Sequence, residues 1–300
     1  MRSNVVVVGV DGSPAAGSAL HWAAVDAVRT GAGLRVIHAL RRHRPAAGTD
    51  RVEDVTREQA ESVVRSAVDQ ARAQQPGIDV SGAVVVGDAA GVLGEHSRDA
   101  GLVVVGNRGH NALYAALLGS VGVRLAAHAA GPVVVVRGRT DAMVGPVIVG
   151  VDGCGDDDRL LDAGFAHAAK RGCGVIVLQC WTAPAPSWGS GLPPPGSSPV
   201  LTRASLHAEL VEEVGRWQQQ HPTVPAEARM PGGDPAGVLL DASRAGQLLV
   251  VGRQGYHRAA GLLPGPVGQL LLHHADCPVL VVPPGGSAHV IREQVPVRNR

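Results

Sequence analysis

The chain is almost without lysine and aromatic side chains. Lys170 is the one lysine in 300 residues, and Phe, Tyr and Trp together make up 2%. A GxxxxGK[ST] phosphate loop is excluded, because Lys170 is followed by Arg171 and Gly172. Schiff-base chemistry is left with a single amine. With so few aromatics, stacking platforms for single-stranded nucleic acid are scarce. The 27 basic and 26 acidic residues leave a net charge of +1, too small a field to draw nucleic acid or an anionic membrane. The four cysteines, Cys154, Cys173, Cys180 and Cys277, form neither a CxxC pair nor zinc spacing, and read as small hydrophobes of a reducing compartment. No apolar run approaches the ~20 residues of a membrane span. The run at residues 5–10 is too short for a signal peptide and stops at Asp11. These absences predict a cytoplasmic protein whose core is built from Val, Leu, Ile and Ala.

What the sequence has instead is itself, twice. Val5-Val6-Val7-Val8-Gly9-Val10-Asp11-Gly12 returns as Pro146-Val147-Ile148-Val149-Gly150-Val151-Asp152-Gly153, an offset of 141. Gly87-Asp88, Val104-Val105-Gly106 and Pro132-Val133 return as Gly233-Asp234, Val250-Val251-Gly252 and Pro278-Val279, an offset of 146. Five extra residues therefore lie between Asp152 and Gly233, most naturally in the Pro/Gly/Ser-rich stretch 182–199. This is a tandem duplication of one domain. The expected boundaries are 1–140 and 145–284, with residues 285–300 as a flexible tail.

Within each copy, strand and helix patterns alternate. In the first, residues 5–10 are a continuous β-branched run, as a strand covered on both faces should be. Ser13 and Pro14 open a helix and Gly31 closes it. Further strands are expected at 34–40, 80–86, 102–105 and 133–136, with helices near 52–71, 91–99 and 120–130. Five strands joined by helices give an α/β fold with an open parallel sheet, whose ligands bind beyond the carboxyl ends of the strands.

Those strand ends hold the candidate chemistry. Gly9-Val10-Asp11-Gly12-Ser13 is not a GxGxxG dinucleotide loop, because Asp11 stands at the second glycine. The fourth strand runs into Gly106-Asn107-Arg108-Gly109, nine residues from His110 to Leu118, then Gly119-Ser120. The glycines allow backbone amides to converge on an anion, and Gly119-Ser120 opens a helix whose N-terminus suits phosphate. Arg108 and His110 lie in the loop between.

The G-x2-G-x9-G-[ST] spacing, with the Gly9–Ser13 motif on the first strand, resembles the ATP-binding branch of the universal stress protein family. The resemblance covers about residues 3–138 and 145–283. It implies two five-stranded parallel sheets sandwiched by helices, of the adenine nucleotide α-hydrolase-like kind, paired about a pseudo-two-fold axis. It also implies roles. Gly9 and Asp11 would face the adenosine and Ala39 would hold the adenine edge through its main chain. Gly106, Asn107, Arg108, Gly109 and His110 would line the ribose and phosphate path. Gly119, Ser120 and Val121 would bind the terminal phosphates, with Mg2+ or Mn2+ accompanying ATP. In the second copy the matching positions are Gly150, Asp152, Cys180, Gly252, Arg253, Gln254, Gly255, Gly265 and Val267.

The remaining features read as structure. Asp156-Asp157-Asp158 suits a helix start, and His273-His274 has no ligand partner at helical spacing. The implied function is a nucleotide-dependent stress-response regulator with regulatory protein partners and intramolecular domain pairing, leaving room for a homodimer. Two alternatives stay open: a slow ATPase or nucleotidyl- or phosphotransferase, and a ligand-free dimerisation module. The second site is expected to be the weaker, because Pro266 stands where Ser120 does in the first.

Overall fold

A computed structural model describes residues 3–41, 50–107, 120–140, 144–153, 157–181, 199–253 and 265–285. The first copy runs β1 (Ser3–Gly9), α1 (Pro14–Thr30), β2 (Gly33–Leu40), α2 (Asp50–Gln74), β3 (Val80–Val86), α3 (Ala89–His96), β4 (Ala100–Gly106), α4 (Ser120–His128) and β5 (Val133–Val136). The second repeats it as β6 (Val147–Val151), α5 (Asp157–Arg171), β7 (Val175–Gln179), α6 (Pro199–Gln220), β8 (Ala226–Arg229), α7 (Pro235–Ser243), β9 (Leu248–Gly252), α8 (Pro266–His274) and β10 (Val279–Val282).

Local chemistry explains the boundaries. The Ser13 side chain accepts the Ala16 amide at 3.2 Å, and Pro14 follows at the first helical position of α1. Gly31 closes that helix in the left-handed conformation at φ 63°. Asp88 and Asp234 cap α3 and α7 through the Gly91 and Gly237 amides, at 3.2 and 2.9 Å. The Asp88 cap starts α3 at Ala89, ahead of the expected residue 91, and β4 accordingly begins at Ala100.

The strands form one ten-stranded sheet in the order β3-β2-β1-β4-β5-β10-β9-β6-β7-β8. Every neighbouring pair is parallel except β5 and β10, which meet antiparallel with Val134 opposite Leu280. Each copy thus has its own parallel sheet, and the two fifth strands cover each other's edges. The register also locates the insertion. Val6 pairs with Leu34 and Val147 with Val175, preserving the offset of 141. Leu34 pairs with Val80 and Val175 with Ala226, raising it to 146. The extra residues fall between β7 and β8; residues 182–198 themselves lie outside those described, as do 286–300.

One core packs α1, α2, α5 and α6 onto one face of the sheet, and the other packs α3, α4, α7 and α8 onto the opposite face. Each core runs through both copies, so the pseudo-two-fold axis stands normal to the sheet at the β5–β10 seam. The strands of the two copies therefore run in opposite directions, and their carboxyl ends open at opposite rims. Two glycines pin the connection between copies. At Gly138 (φ +60°) a side chain would strike the Asp276 backbone, and at Gly145 (φ +121°) the Ala245 carbonyl. Among the described residues no helix is long and apolar enough to cross a membrane.

Candidate functional site

In the first copy the topological switch lies between β1 and β4, whose neighbours β2 and β5 continue in opposite directions across the sheet. Several expected residues converge there. Gly9 ends β1, Gly106 ends β4, and the Asn107 amide extends the ladder to the Val136 carbonyl at 3.1 Å. The first turn of α4, carrying exposed Ser120 and half-buried Val121, lies against the end of β4; a side chain on Gly122 would sit 4.0 Å from the Gly106 carbonyl. Arg108, Gly109, His110 and Gly119 lie outside the described residues.

Ala39 is placed by sheet geometry. The Val10 amide donates to the Ile37 carbonyl at 2.9 Å, and the Gly87 amide to the Leu40 carbonyl at 2.9 Å. Main-chain groups of a parallel strand alternate between its two neighbours. Ala39, two residues beyond Ile37, thus turns its N–H and C=O toward the β1 side, past the last β1 pair at Gly9. The sequence pattern did not single out its neighbour His38, whose Nδ1 donates to the Val10 carbonyl at 2.8 Å and fixes the loop after β1.

Two expectations need a different physical reason. Asp11 accepts the Ser13 amide on Oδ1 at 3.0 Å, so one carboxylate oxygen shapes the turn into α1. Gly106 does not have a positive φ, so backbone conformation is not what calls for glycine there. It is glycine because a Cβ there would lie 2.5 Å from the Ala15 carbonyl oxygen at the start of α1. Gly9 is similar: a Cβ would meet the Leu93 side chain at 2.6 Å. Gly12, at φ +81°, is the position in this loop where backbone conformation demands glycine.

Around the same rim stands a charge group that no sequence motif announced. Asp88, after β3, pairs with Arg124 of α4 at 2.8 Å and with Arg41, after β2, at 3.6 Å. Burial alone would raise the Asp88 carboxyl, but the Gly91 amide and the two guanidiniums more than offset it and hold it below the usual range. Comparing the repeats would have found this: Asp88 has Asp234 as its counterpart, whereas Arg41 is matched by Thr182 and Arg124 by Leu270.

The second copy differs. Gly150 and Asp152 follow the same path at the end of β6, and Cys180 follows β7, half-buried, with burial raising its thiol. Gln254 and Gly255 lie outside the described residues. Gly252 ends β9, but the Arg253 guanidinium donates to the Ala129 carbonyl of the first copy at 2.9 Å. Gly265 caps α8 without a side-chain hydrogen bond, Pro266 follows, and Val267 is half-buried. Asp157, expected only to start a helix, is buried, and its Oδ2 accepts the Gly153 amide at 2.8 Å. Burial, and the nearby Asp152 charge, push its carboxyl up to about 6. Beside it a cavity of about 230 Å³ is lined by Gly153, Asp157, Asp158, Gln179, Glu209 and Glu213, an acidic wall unlike the arginine-bearing rim of the first copy.

Comparison with known proteins agrees with this duplicated architecture. A universal stress protein of Mycolicibacterium smegmatis is 31% identical over 289 residues, covering 93% of this chain and 97% of that protein. The crystal structure of a universal stress protein from Archaeoglobus fulgidus superposes with a TM-score of 0.70 at 16% identity, covering 95% of this chain and all of that one. A universal stress protein solved in complex with cAMP is 30% identical over 44% of this chain and 96% of its own, with a TM-score of 0.37. Residues 3–137 and 143–283 each match the universal stress protein family, and the chain belongs to that family as two tandem copies in one continuous sheet.

Proposed function

We propose that the first copy binds ATP at its β1–β4 switch point and that occupancy regulates partner proteins in a stress response. One observation carries the reading: the outward-turned main chain of Ala39, the strand ends at Gly9 and Gly106, and the start of α4 at Ser120 lie at one rim of the sheet, at its switch point. Ala39 supplies a donor and an acceptor for an adenine edge. The α4 N-terminus supplies its first-turn amides, a favourable dipole end and the Ser120 hydroxyl for phosphate. Arg41 and Arg124 on the rim bring positive charge to the same end.

Among the described residues no three acidic, histidine or cysteine side chains stand close enough to hold a metal ion. In this reading a divalent cation accompanies the nucleotide on its phosphate oxygens and neutralises part of their charge. The second copy is the weaker site. It lacks the hydroxyl and the amide hydrogen at Pro266, lacks both rim arginines, and engages Arg253 in the interface.

The test is release of bound nucleotide from freshly purified protein by heat, identification by mass spectrometry, and calorimetric titration with ATP. Adenine nucleotide at about one equivalent per chain supports the reading. No bound nucleotide and no heat of ATP binding would leave the ligand-free module; rapid multiple turnover of ATP would favour the enzyme.

A further inference from the structure

The strand seam does not by itself decide which domains pair. β5 reads Val-Val-Val-Val and β10 Val-Leu-Val-Val, and Val134 and Leu280, which face each other on the axis, are equivalent positions of the two copies. Two first copies, two second copies, or one of each would match at this edge equally well.

The helical layer above it is different. Asp26 of α1 and His167 of α5 are also equivalent, 141 residues apart, and meet across the axis with Nδ1 and Oδ1 3.8 Å apart. Burial pushes the His167 ring down to about 4, so it is neutral at pH 7. The countercharge is Arg171, which donates to Asp26 Oδ1 at 2.7 Å with each side chain 2% exposed. Its guanidinium also lies over the Trp22 ring, 5.4 Å from the centroid. None of these groups is duplicated: Thr30 stands where Arg171 would be, Ala163 where Trp22 would be, and His167 where Asp26 would be. The receptor for the guanidinium, Trp22 with Asp26, belongs only to the first copy, and the guanidinium only to the second.

We propose that Arg171 and its Trp22–Asp26 receptor form a pairing code that joins a first copy to a second copy and rejects like with like. Two first copies would bury two Asp26 carboxylates against each other. The cation on the same helix is Arg29, whose charge already acts on Asp26 and Arg171 together, and the His21 ring is tied to Gln74. Two second copies would bury two Arg171 guanidiniums and two neutral His167 rings beside Lys170, with no carboxylate from the Asp26 position. An unpaired buried charge costs more than a pair gains, so like pairings are disfavoured by repulsion as well as by lost contact.

The test uses full chains. One carries Asp26→Arg with Val134→Cys, the other Arg171→Asp with Leu280→Cys. Each has like charges within itself, but together they restore opposite charges at both reciprocal interfaces. Co-expressed and oxidised, they should give an interchain 134–280 disulfide, identified by peptide mass spectrometry. The yield should be at least about tenfold above that of Val134→Cys and Leu280→Cys chains with native charges. Equal yields in the two mixtures, or a 134–134 disulfide from the first chain alone, would overturn the code. A single chain carrying Asp26→Arg and Arg171→Asp guards against simple misfolding. It should regain most of the thermal midpoint lost by either single variant, and a midpoint no higher than theirs would also overturn the proposal.

Discussion

Asp157 holds the loop after β6 by accepting the Gly153 amide at 2.8 Å from the first turn of α5. Its counterpart in the first copy is Ala16, whose amide is instead capped by Ser13. The duplicated loop is therefore closed in two ways: by the Asp11 carboxylate and the Ser13 hydroxyl within the turn in one copy, and by a buried carboxylate reaching back from the helix in the other.

A pH dependence follows from this difference. The folded Asp157 carboxyl titrates at about 6, above its ordinary value of 3.8, so the native state holds a proton that the unfolded chain has released. That contribution is fully present below pH 4 and is lost as pH rises through 6, by on the order of 2 kcal/mol. His167 acts oppositely: its folded value of about 4, below 6.5, means stability is lost as pH falls from 6.5 toward 4. The two slopes offset each other in the native protein. Asp157→Asn should unmask the histidine, giving urea-unfolding free energies that rise more steeply from pH 4 to 6.5 than those of the parent. Parallel profiles would contradict it.

Gly106 and Gly215 should respond to alanine with opposite signs. A Cβ at Gly106 meets the Ala15 carbonyl oxygen at 2.5 Å and its carbon at 2.7 Å, both backbone atoms that cannot turn aside. Gly106→Ala should cost about 2–3 kcal/mol and weaken any ligand held at the end of β4. At Gly215, within α6, nothing lies within 4 Å, and Gly215→Ala should gain about 0.5–1 kcal/mol. Chemical denaturation of the two variants measures both.

The buried pair between copies gives a third expectation. Removing one member, as in Arg171→Met, leaves Asp26 uncompensated where each side chain is 2% exposed, and should cost about 3–5 kcal/mol. Asp26→Leu combined with Arg171→Met should recover most of that loss, because an apolar contact replaces the pair without a stranded charge. A double variant as unstable as the single one would show that the geometry, and not the charge, is what matters.

The proposed inequality of the two sites can be read by calorimetry. A hydrogen bond to a charged group is worth about 1.5–3 kcal/mol, so Ser120→Ala should weaken ATP binding by roughly tenfold with the fold intact. Pro266→Ser should restore a hydroxyl and an amide hydrogen to the second copy and strengthen its binding, though Leu270 still replaces Arg124 there. Two equal sites in the native chain would refute the inequality.

Much of this protein is decided by neighbours in the chain. The β-branched run before Asp11, the Ser13-Pro14 start, the Gly31 stop and the repeat offsets of 141 and 146 encode the strands, helices and duplication locally, and each appears in the structure where those signals stand. The strand-end motifs likewise marked the rim on which Gly9, Gly106 and Ser120 now gather, because a parallel strand must deliver its carboxyl end to one edge. What no local pattern could settle is which distant groups meet. Arg171 finds Asp26 145 residues away only because β5 and β10 pair antiparallel and bring α1 beside α5. Arg41, Asp88 and Arg124 assemble only when β2, β3 and α4 share a rim. Gly106 is required by the nearness of Ala15, a contact between the end of β4 and the start of α1. Periodicity carries secondary structure, since it acts over a few residues; register and packing carry charge pairing and close approach, since those depend on atoms the chain brings together from far apart.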